Sequence, residues 1–230
     1  MATIADNLQA VKARIGRAAH AAGRDPASVT LLAVSKTHSA SRIAQAQAAG
    51  QIGFGENYVQ EALEKMDALR GGGSALEWHL IGPLQSNKTR PAAERFAWVQ
   101  TVQSDKIARR LSEQRPANLP PLNVLIQVNA SHEASKSGVA PDAVLSLAKF
   151  VGALPRLRLR GLMAIPEPGA PASRYREVRN IFDNLKEAFA LDTVSMGMSD
   201  DLELAIAEGA TMVRIGTAIF GARSREKSVA

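Results

Sequence analysis

The sequence predicts a single α/β domain over residues 1–230, folded as a (β/α)8 TIM-like barrel with an extra N-terminal helix. Eight apolar, partly β-branched runs typical of buried parallel strands alternate with helical patterns along the chain. This alternation requires parallel strands joined by right-handed crossovers, and eight such units close most naturally into a barrel. The alternative is an open doubly wound sheet, which is disfavoured because no Gly-x-Gly-x-x-Gly motif follows the first strand.

The strand predictions rest on short runs rich in valine, isoleucine and leucine. The run from Val29 to Ser35 is the clearest of them, and Lys36 follows it directly. The predicted strands cover residues 30–35, 51–55, 78–82, 98–102, 123–129, 158–165, 193–198 and 212–220.

The helix predictions rest on apolar residues that recur with the period of a helix. Ile4, Leu8, Val11 and Ile15 have this spacing and predict an amphipathic helix ahead of the first strand. Between the strands, helices are predicted at residues 40–49, 57–69, 87–95, 106–113, 142–151, 173–189 and 200–208.

The composition narrows the classes of function. No apolar stretch reaches the length of a membrane span, and charged residues interrupt the N-terminus, which argues against a secretory signal. The chain has no cysteine, which excludes disulfides and thiolate metal sites and fits a reducing cytoplasm. The net charge is +6, but only 4% of residues are aromatic, so we expect no nucleic-acid partner. No metal is predicted, because no set of histidines and carboxylates has ligand spacing.

Functional side chains of such barrels collect at the carboxyl ends of the strands. Lys36 ends the first strand, where partial desolvation favours an amine nucleophile. The alternative is a surface lysine whose stem covers the strand end while its charge reaches water. Ser199, Gly216 and Thr217 follow strands seven and eight, the usual phosphate site of these barrels. Ser199 is also expected to cap the next helix, and Gly216 would serve close strand packing equally well.

Lys36 and the expected phosphate site would face each other, because strands one and eight are neighbours where a barrel closes. Together they are the minimum equipment for binding pyridoxal 5′-phosphate (PLP) as a Schiff base. They would also equip a Schiff-base aldolase that acts on a sugar phosphate without any cofactor. This chemistry alone therefore leaves both functions open.

Seven ordered motifs span nearly the whole chain and decide between these functions. They are AVSK (33–36), FGENY (54–58), WHLIGPLQSNK (78–88), SKSG (135–138), GLM (161–163), SMGMSD (195–200) and VRIGTAIFG (213–221). With these motifs the chain resembles the pyridoxal phosphate homeostasis protein family of the YggS/PROSC type, which is related to the N-terminal barrel of alanine racemase. The resemblance implies a fold-type III PLP-binding barrel that acts in vitamin B6 homeostasis.

The resemblance also implies which residues bind the cofactor. Lys36 would carry PLP as a Schiff base, and Ser199, Gly216 and Thr217 would hold its phosphate.

Two more residues complete the site that the resemblance implies. Asn57 would line the ring side of the pocket, and Arg214 would approach the pyridine nitrogen. A cation beside that nitrogen disfavours its protonation, so the ring would become a weaker electron sink for carbanions. The alternative for Arg214 is a structural ion pair.

A PLP barrel of this kind could be a carrier or an enzyme such as an amino-acid racemase. Racemisation needs acid/base groups on both faces of Cα, and the racemase relatives take the second group, a tyrosine, from another domain. Here only about ten residues follow the last predicted strand, and Tyr58 and Tyr175 are not obvious substitutes. We therefore expect no catalytic residues and a cytoplasmic carrier, a monomer or weak dimer, that buffers PLP or delivers it to PLP-dependent apo-enzymes.

Three further basic residues can each be interpreted in more than one way. His79 on the third strand is expected to be satisfied by hydrogen bonds inside the barrel rather than to act as a base. Lys136 is either an exposed loop lysine or a second amine that meets PLP transiently. Lys227 and the basic tail are candidates for a second, looser PLP site.

Overall fold

The computed structural model describes residues 2–71, 75–131, 133 and 136–222, and in it eight parallel strands close a barrel in sequence order. The strands are β1 (Thr30–Val34), β2 (Gly53–Glu56), β3 (Glu77–Leu80), β4 (Trp98–Val102), β5 (Leu122–Val128), β6 (Leu157–Ala164), β7 (Thr193–Ser195) and β8 (Met212–Ile215). The predicted (β/α)8 architecture is confirmed, and the open-sheet alternative is wrong.

Helices surround the barrel and one precedes it, as the spacing of apolar residues predicts. They are α1 (Ile4–Ala21), α2 (Ala40–Ala48), α3 (Val59–Ala68), α4 (Thr89–Arg95), α5 (Asp105–Gln114), α6 (Val144–Gly152), α7 (Ala172–Phe189), α8 (Leu202–Ala207) and α9 (Thr217–Phe220). Short 3-10 turns precede β1, α4 and α6. No helix of the described ranges combines the length and the apolarity needed to cross a bilayer.

The extra helix α1 packs against α8 and α9, the two elements that follow the last strands. It begins with a capping box in which Thr3 and Asp6 satisfy each other's backbone N–H groups. One face of α1 is buried, and Leu8 is fully buried there, a burial worth roughly 2 kcal/mol. The Asn7 side-chain amide donates to the Ile219 carbonyl at 3.0 Å and fixes α1 to the end of the barrel.

The last two strands end earlier than predicted. β7 stops at Ser195 because Gly197 has φ +95°, outside the range of a strand. β8 stops at Ile215, and the apolar run that follows it forms the single turn α9. A short apolar run does not distinguish a buried strand from a buried helix, and this caused the error.

Most of the hydrophobic core lies between the strands and the surrounding helices. Inside the barrel the apolar groups are smaller, one around Leu32 and Met212 and another around Trp98 and Leu125. Polar side chains such as Gln100 fill the rest of the interior. The interior is therefore packed, and a ligand can enter only at a rim of the barrel.

Replacing Leu8 by alanine should destabilise the protein by about 2–5 kcal/mol, because it opens a cavity between α1 and the elements that follow β7 and β8. Urea unfolding at equilibrium measures this change. The exposed neighbour Gln9 provides the matched control, since Gln9→Ala removes no buried group. Equal losses in the two variants would contradict the packing of α1.

Candidate functional site

A cavity of about 250 Å³ opens at the carboxyl ends of the strands, beside the seam between β1 and β8. All six residues that the sequence singled out line it: Lys36, Asn57, Ser199, Arg214, Gly216 and Thr217. The other lining residues are Val34, His38, Ile81, Ile165, Met198 and Asp200. The structure thus brings the predicted residues together in one place, while their roles toward a ligand stay predictions.

Lys36 lies in a tight turn directly after β1, and hydrogen bonds to two glutamate side chains hold this turn. Thr37 has a positive φ of 67°, unusual for a β-branched residue, and its N–H donates to the Glu61 carboxylate. On the other side of Lys36, the Ser35 hydroxyl donates to Glu56 Oε1 at 2.6 Å. Both backbone neighbours of Lys36 are therefore fixed, and the partly buried lysine is presented from a rigid loop.

The two carboxylates that hold this turn share one buried lysine. Lys65 Nζ lies 2.7 Å from Glu56 Oε1 and 2.6 Å from Glu61 Oε1, and it donates to the Ser35 carbonyl at 2.8 Å. Burial raises the pKa of Glu56, whereas the nearby Lys65 ammonium opposes that rise. We call Glu56, Lys65 and Glu61 the ion cluster; it connects β2 and α3 to the turn that carries Lys36.

Sequence reasoning missed the ion cluster. Its members lie nine and four positions apart, and only the helical Glu61–Lys65 pair has a recognisable spacing. Glu56 belongs to the FGENY motif (54–58), but no pattern in the sequence indicates that its partner is a lysine of the next helix.

The opposite side of the cavity consists of the loops after β7 and β8. A Cβ atom on Gly216 would lie 3.1 Å from the Val34 carbonyl oxygen, so glycine allows β8 to approach β1 closely. Gly197 has its positive φ, and a Cβ there would lie 2.5 Å from that of Ala205. The close-packing interpretation of Gly216 is confirmed, and Gly216 lines the cavity as well; Gly197 permits a similar close approach of its loop to α8.

Ser199 does not cap the following helix as expected. Asp201 occupies the cap position, and its carboxylate accepts a hydrogen bond from the Met198 N–H. The helix therefore begins at Leu202, two residues later than the predicted start at residue 200, because Asp201 closes the turn before α8. The Ser199 carbonyl is instead bound by Arg14 of α1 at 2.7 Å, so α1 also fixes this loop.

Arg214 of β8 is a buried cation at the floor of the cavity. Its two terminal nitrogens donate to Ser195 Oγ at 2.8 Å and to the Ala164 carbonyl at 2.9 Å. Burial lowers the pKa of Arg214 to about 10, which still leaves it protonated at neutral pH. The structural ion pair considered for Arg214 does not occur in the part of the chain that the structure describes. A buried guanidinium of this kind suits an anionic or electron-rich ligand.

Asn57 follows β2 and is held there by a close backbone contact. A side chain on Gly82 would collide with the backbone of Asn57, so the Ile-Gly-Pro motif lets the loop after β3 pack against it. His38 and Asp200 also line the cavity, although the sequence analysis assigned neither to it. His38 stacks on Phe220 with ring centroids 5.1 Å apart, and its position two residues after Lys36 was the available signal.

His79 lies inside the barrel and not in the cavity. Its side chain is 1% exposed, with Nε2 2.8 Å from Glu77 Oε1 and Nδ1 2.9 Å from Gln100 Nε2. Burial lowers the pKa of His79, since desolvation outweighs the attraction of Glu77. The interpretation of His79 as a histidine satisfied by hydrogen bonds is confirmed.

Lys136 lines a second cavity of about 360 Å³ next to the first, and the two cavities share four lining residues, Asn57, Ile81, Ile165 and Met198. Lys227 lies outside the described residues. The two tyrosines are elsewhere: Tyr58 is 59% exposed, and Tyr175 is buried and hydrogen-bonded to Asp201. Within the described ranges, no cluster of three or more histidines and carboxylates could hold a metal ion.

Comparisons with known proteins find a family model and relatives that match nearly the whole chain. Residues 6–224 match the family described as alanine racemase, N-terminal domain. A pyridoxal phosphate homeostasis protein of Pseudomonas aeruginosa is 61% identical, and the match covers 97% of each chain. A protein of the same name from Escherichia coli is 56% identical over 99% of this chain and 100% of its own.

A solved structure with bound ligand is also similar. PipY of Synechococcus elongatus, whose structure has PLP bound, is 36% identical and superposes with a TM-score of 0.81. The match covers 95% of this chain and 100% of PipY.

The ion cluster makes a specific prediction about stability. At pH 7, Lys65→Met should destabilise the protein by about 3 kcal/mol, because it leaves buried carboxylate charge unpaired. The deficit should shrink as the pH falls toward 4.5, the ordinary pKa of glutamate, since protonation of Glu56 removes that charge.

Urea unfolding between pH 7 and pH 4.5 measures both effects. Lys12→Met on the exposed face of α1 is the matched control and should change little at either pH. A deficit that is the same at every pH would show that Lys65 contributes packing rather than charge.

Proposed function

The chain belongs to the pyridoxal phosphate homeostasis protein family, and on that premise we propose that it binds PLP at the cavity between β1 and β8 and buffers or delivers it. The observation that carries this proposal is the composition of one cavity. A lysine on a rigid turn, two loops with small and hydroxyl-bearing residues, and a buried arginine all line the same space. An amine, a phosphate site and a cation for the ring are the parts that this ligand requires.

The fit of the residues to PLP rests on their chemistry. Lys36 provides the amine, and its turn is held by the ion cluster, so the amine is positioned before any ligand arrives. When bound, PLP supplies an aldehyde that condenses with a lysine amine. Ser199 and Thr217 offer hydroxyl donors, and Gly216 leaves room for a phosphate to approach the backbone.

Arg214 fits the ring end of the ligand. It stays protonated at neutral pH and would lie beside the pyridine nitrogen, with Asn57 on the ring side. A cation there disfavours protonation of that nitrogen and weakens the ring as an electron sink. Carbanion chemistry is thereby disfavoured, whereas reversible binding at Lys36 is not affected. This difference favours a carrier without robust catalysis.

The rim of the cavity also favours transfer over catalysis. Ile165 and Met198 line the cavity and are 47% and 39% exposed, so the ligand would face water on this side. Protected carbanion chemistry needs a site that excludes water. Tyr175 is buried, and burial together with the hydrogen bond to Asp201 raises its pKa, so it is a poor proton donor for the cavity. The recipients in this proposal are PLP-dependent apo-enzymes in the same reducing compartment, served by a monomer or weak dimer.

The attachment point can be tested directly. Protein incubated with PLP and reduced with borohydride should carry a pyridoxyl group on Lys36, located by mass spectrometry of its peptides. Lys36→Ala should lose the label and its absorbance while unfolding at the same urea concentration as the parent, because the lysine is partly exposed. Lys12→Ala should keep the label.

Two other outcomes would favour the competing functions. Trapping of a dihydroxyacetone-type substrate on Lys36, without uptake of PLP, would indicate a Schiff-base aldolase. Rapid deuterium exchange at Cα of alanine with turnover would indicate a racemase.

The phosphate site can be tested with one isosteric substitution. Thr217→Val removes a hydroxyl and should weaken PLP binding about tenfold, the usual worth of one hydrogen bond to a charged group. Equilibrium dialysis measures the affinity. Pyridoxal, which lacks the phosphate, is the matched control ligand and should bind both proteins equally; an equal loss for both ligands would contradict a phosphate role.

A further inference from the structure

A chain of hydrogen bonds runs through the barrel interior from Arg214 to Glu77. Arg214 Nη1 lies 2.8 Å from Ser195 Oγ, and Ser195 Oγ lies 2.7 Å from Gln100 Oε1. Gln100 Nε2 lies 2.9 Å from His79 Nδ1, and His79 Nε2 lies 2.8 Å from Glu77 Oε1. The four links join β8, β7, β4 and β3 across the barrel.

The direction of every link follows from the arginine. A guanidinium only donates, so the Ser195 oxygen accepts from Arg214, and the Ser195 hydroxyl donates to the Gln100 carbonyl. The Gln100 amide group then faces His79 Nδ1, which accepts and carries no proton. The proton of the neutral imidazole is therefore on Nε2, where it is donated to the Glu77 carboxylate.

The environment keeps these protonation states in place. Ser195 and Gln100 are fully buried, and His79 stacks on Trp98 with ring centroids 5.0 Å apart. The hydrogen bond from His79 lowers the pKa of Glu77, the half-exposed residue at the amino-terminal rim of the barrel, so the chain ends on a carboxylate. Gln100 also contacts Met212 Sδ at 3.2 Å, which further fixes its amide plane.

We propose that Ser195, Gln100 and His79 are positioning residues that hold the Arg214 guanidinium in the cavity, with Glu77 fixing the far end of the hydrogen-bond chain. This proposal rests on the proposed function, because Arg214 then acts on the pyridine nitrogen of PLP. The two hydrogen bonds that the structure gives Arg214 go to uncharged acceptors, so no carboxylate pairs with it directly among the described residues, and Asp201 and Tyr175 act on its charge from farther away. Its positive charge therefore stays available to keep the ring nitrogen unprotonated.

An experiment on the apoprotein tests the hydrogen-bond chain itself. In a sample labelled with ¹⁵N-histidine, multiple-bond proton–nitrogen correlation at pH 7 should show His79 neutral with its proton on Nε2. A proton on Nδ1 would overturn the proposal, since Gln100 would then have to present its carbonyl and the link to Ser195 would reverse. This measurement needs no PLP, so it tests the hydrogen-bond chain whether or not the proposed function holds.

The loaded protein tests the effect on the ring. With PLP labelled with ¹⁵N in the ring, Ser195→Ala should raise the pH at which the ring nitrogen takes up a proton by about one unit, a tenfold change in proton affinity. Gln100→Leu interrupts the chain one link farther from Arg214 and should act in the same direction. Thr89→Val removes an equally buried hydroxyl outside the chain and should leave the ring nitrogen unchanged.

If the ring nitrogen of a folded, PLP-loaded Ser195→Ala or Gln100→Leu protein takes up its proton at the same pH as in the parent, the proposed coupling between the hydrogen-bond chain and the ring is overturned. If the parent protein takes up no PLP, the proposed function fails and the coupling fails with it, whereas the histidine tautomer of the apoprotein still reports on the chain.

Discussion

Closure of the barrel between β1 and β8 is the constraint on which the site depends. Four residue pairs in register, from Thr30 opposite Met212 to Ala33 opposite Ile215, connect the first strand to the last. Lys36 and Gly216 lie just beyond this paired region, on the two sides of one seam. Two segments about 180 positions apart in the sequence thereby line one cavity, and the glycine at 216 permits the close approach that the seam needs.

Two buried cations near the cavity are stabilised in opposite ways. Lys65 is paired with two carboxylates, and its role is to hold the backbone beside Lys36. Among the residues that the structure describes, the hydrogen-bond acceptors of Arg214 are a hydroxyl and a carbonyl, and Arg214 lines the cavity. Burying an ion costs free energy that a structure repays with partners. Arg214 is partnered less completely than Lys65, and we infer that a ligand completes its environment.

Local patterns in the sequence predicted the architecture and part of the cavity. Alternating strands and helices predict the barrel, and the strand ends predict Lys36, Ser199, Gly216 and Thr217, whereas Asn57 and Arg214 were implied by the resemblance of the motifs to a known family. The turn α9 was missed because a short apolar run fits a strand and a buried helix equally well. The ion cluster and the chain from Arg214 to Glu77 were missed because their members are brought together only when the barrel closes.

A crystal structure of the protein with PLP would test the central claim most directly. The account predicts electron density joining Lys36 Nζ to the ligand, with the phosphate against Ser199, Gly216 and Thr217 and the ring nitrogen facing Arg214. Density for the ligand only in the second cavity, beside Lys136, would contradict the claim that the seam between β1 and β8 forms the binding site.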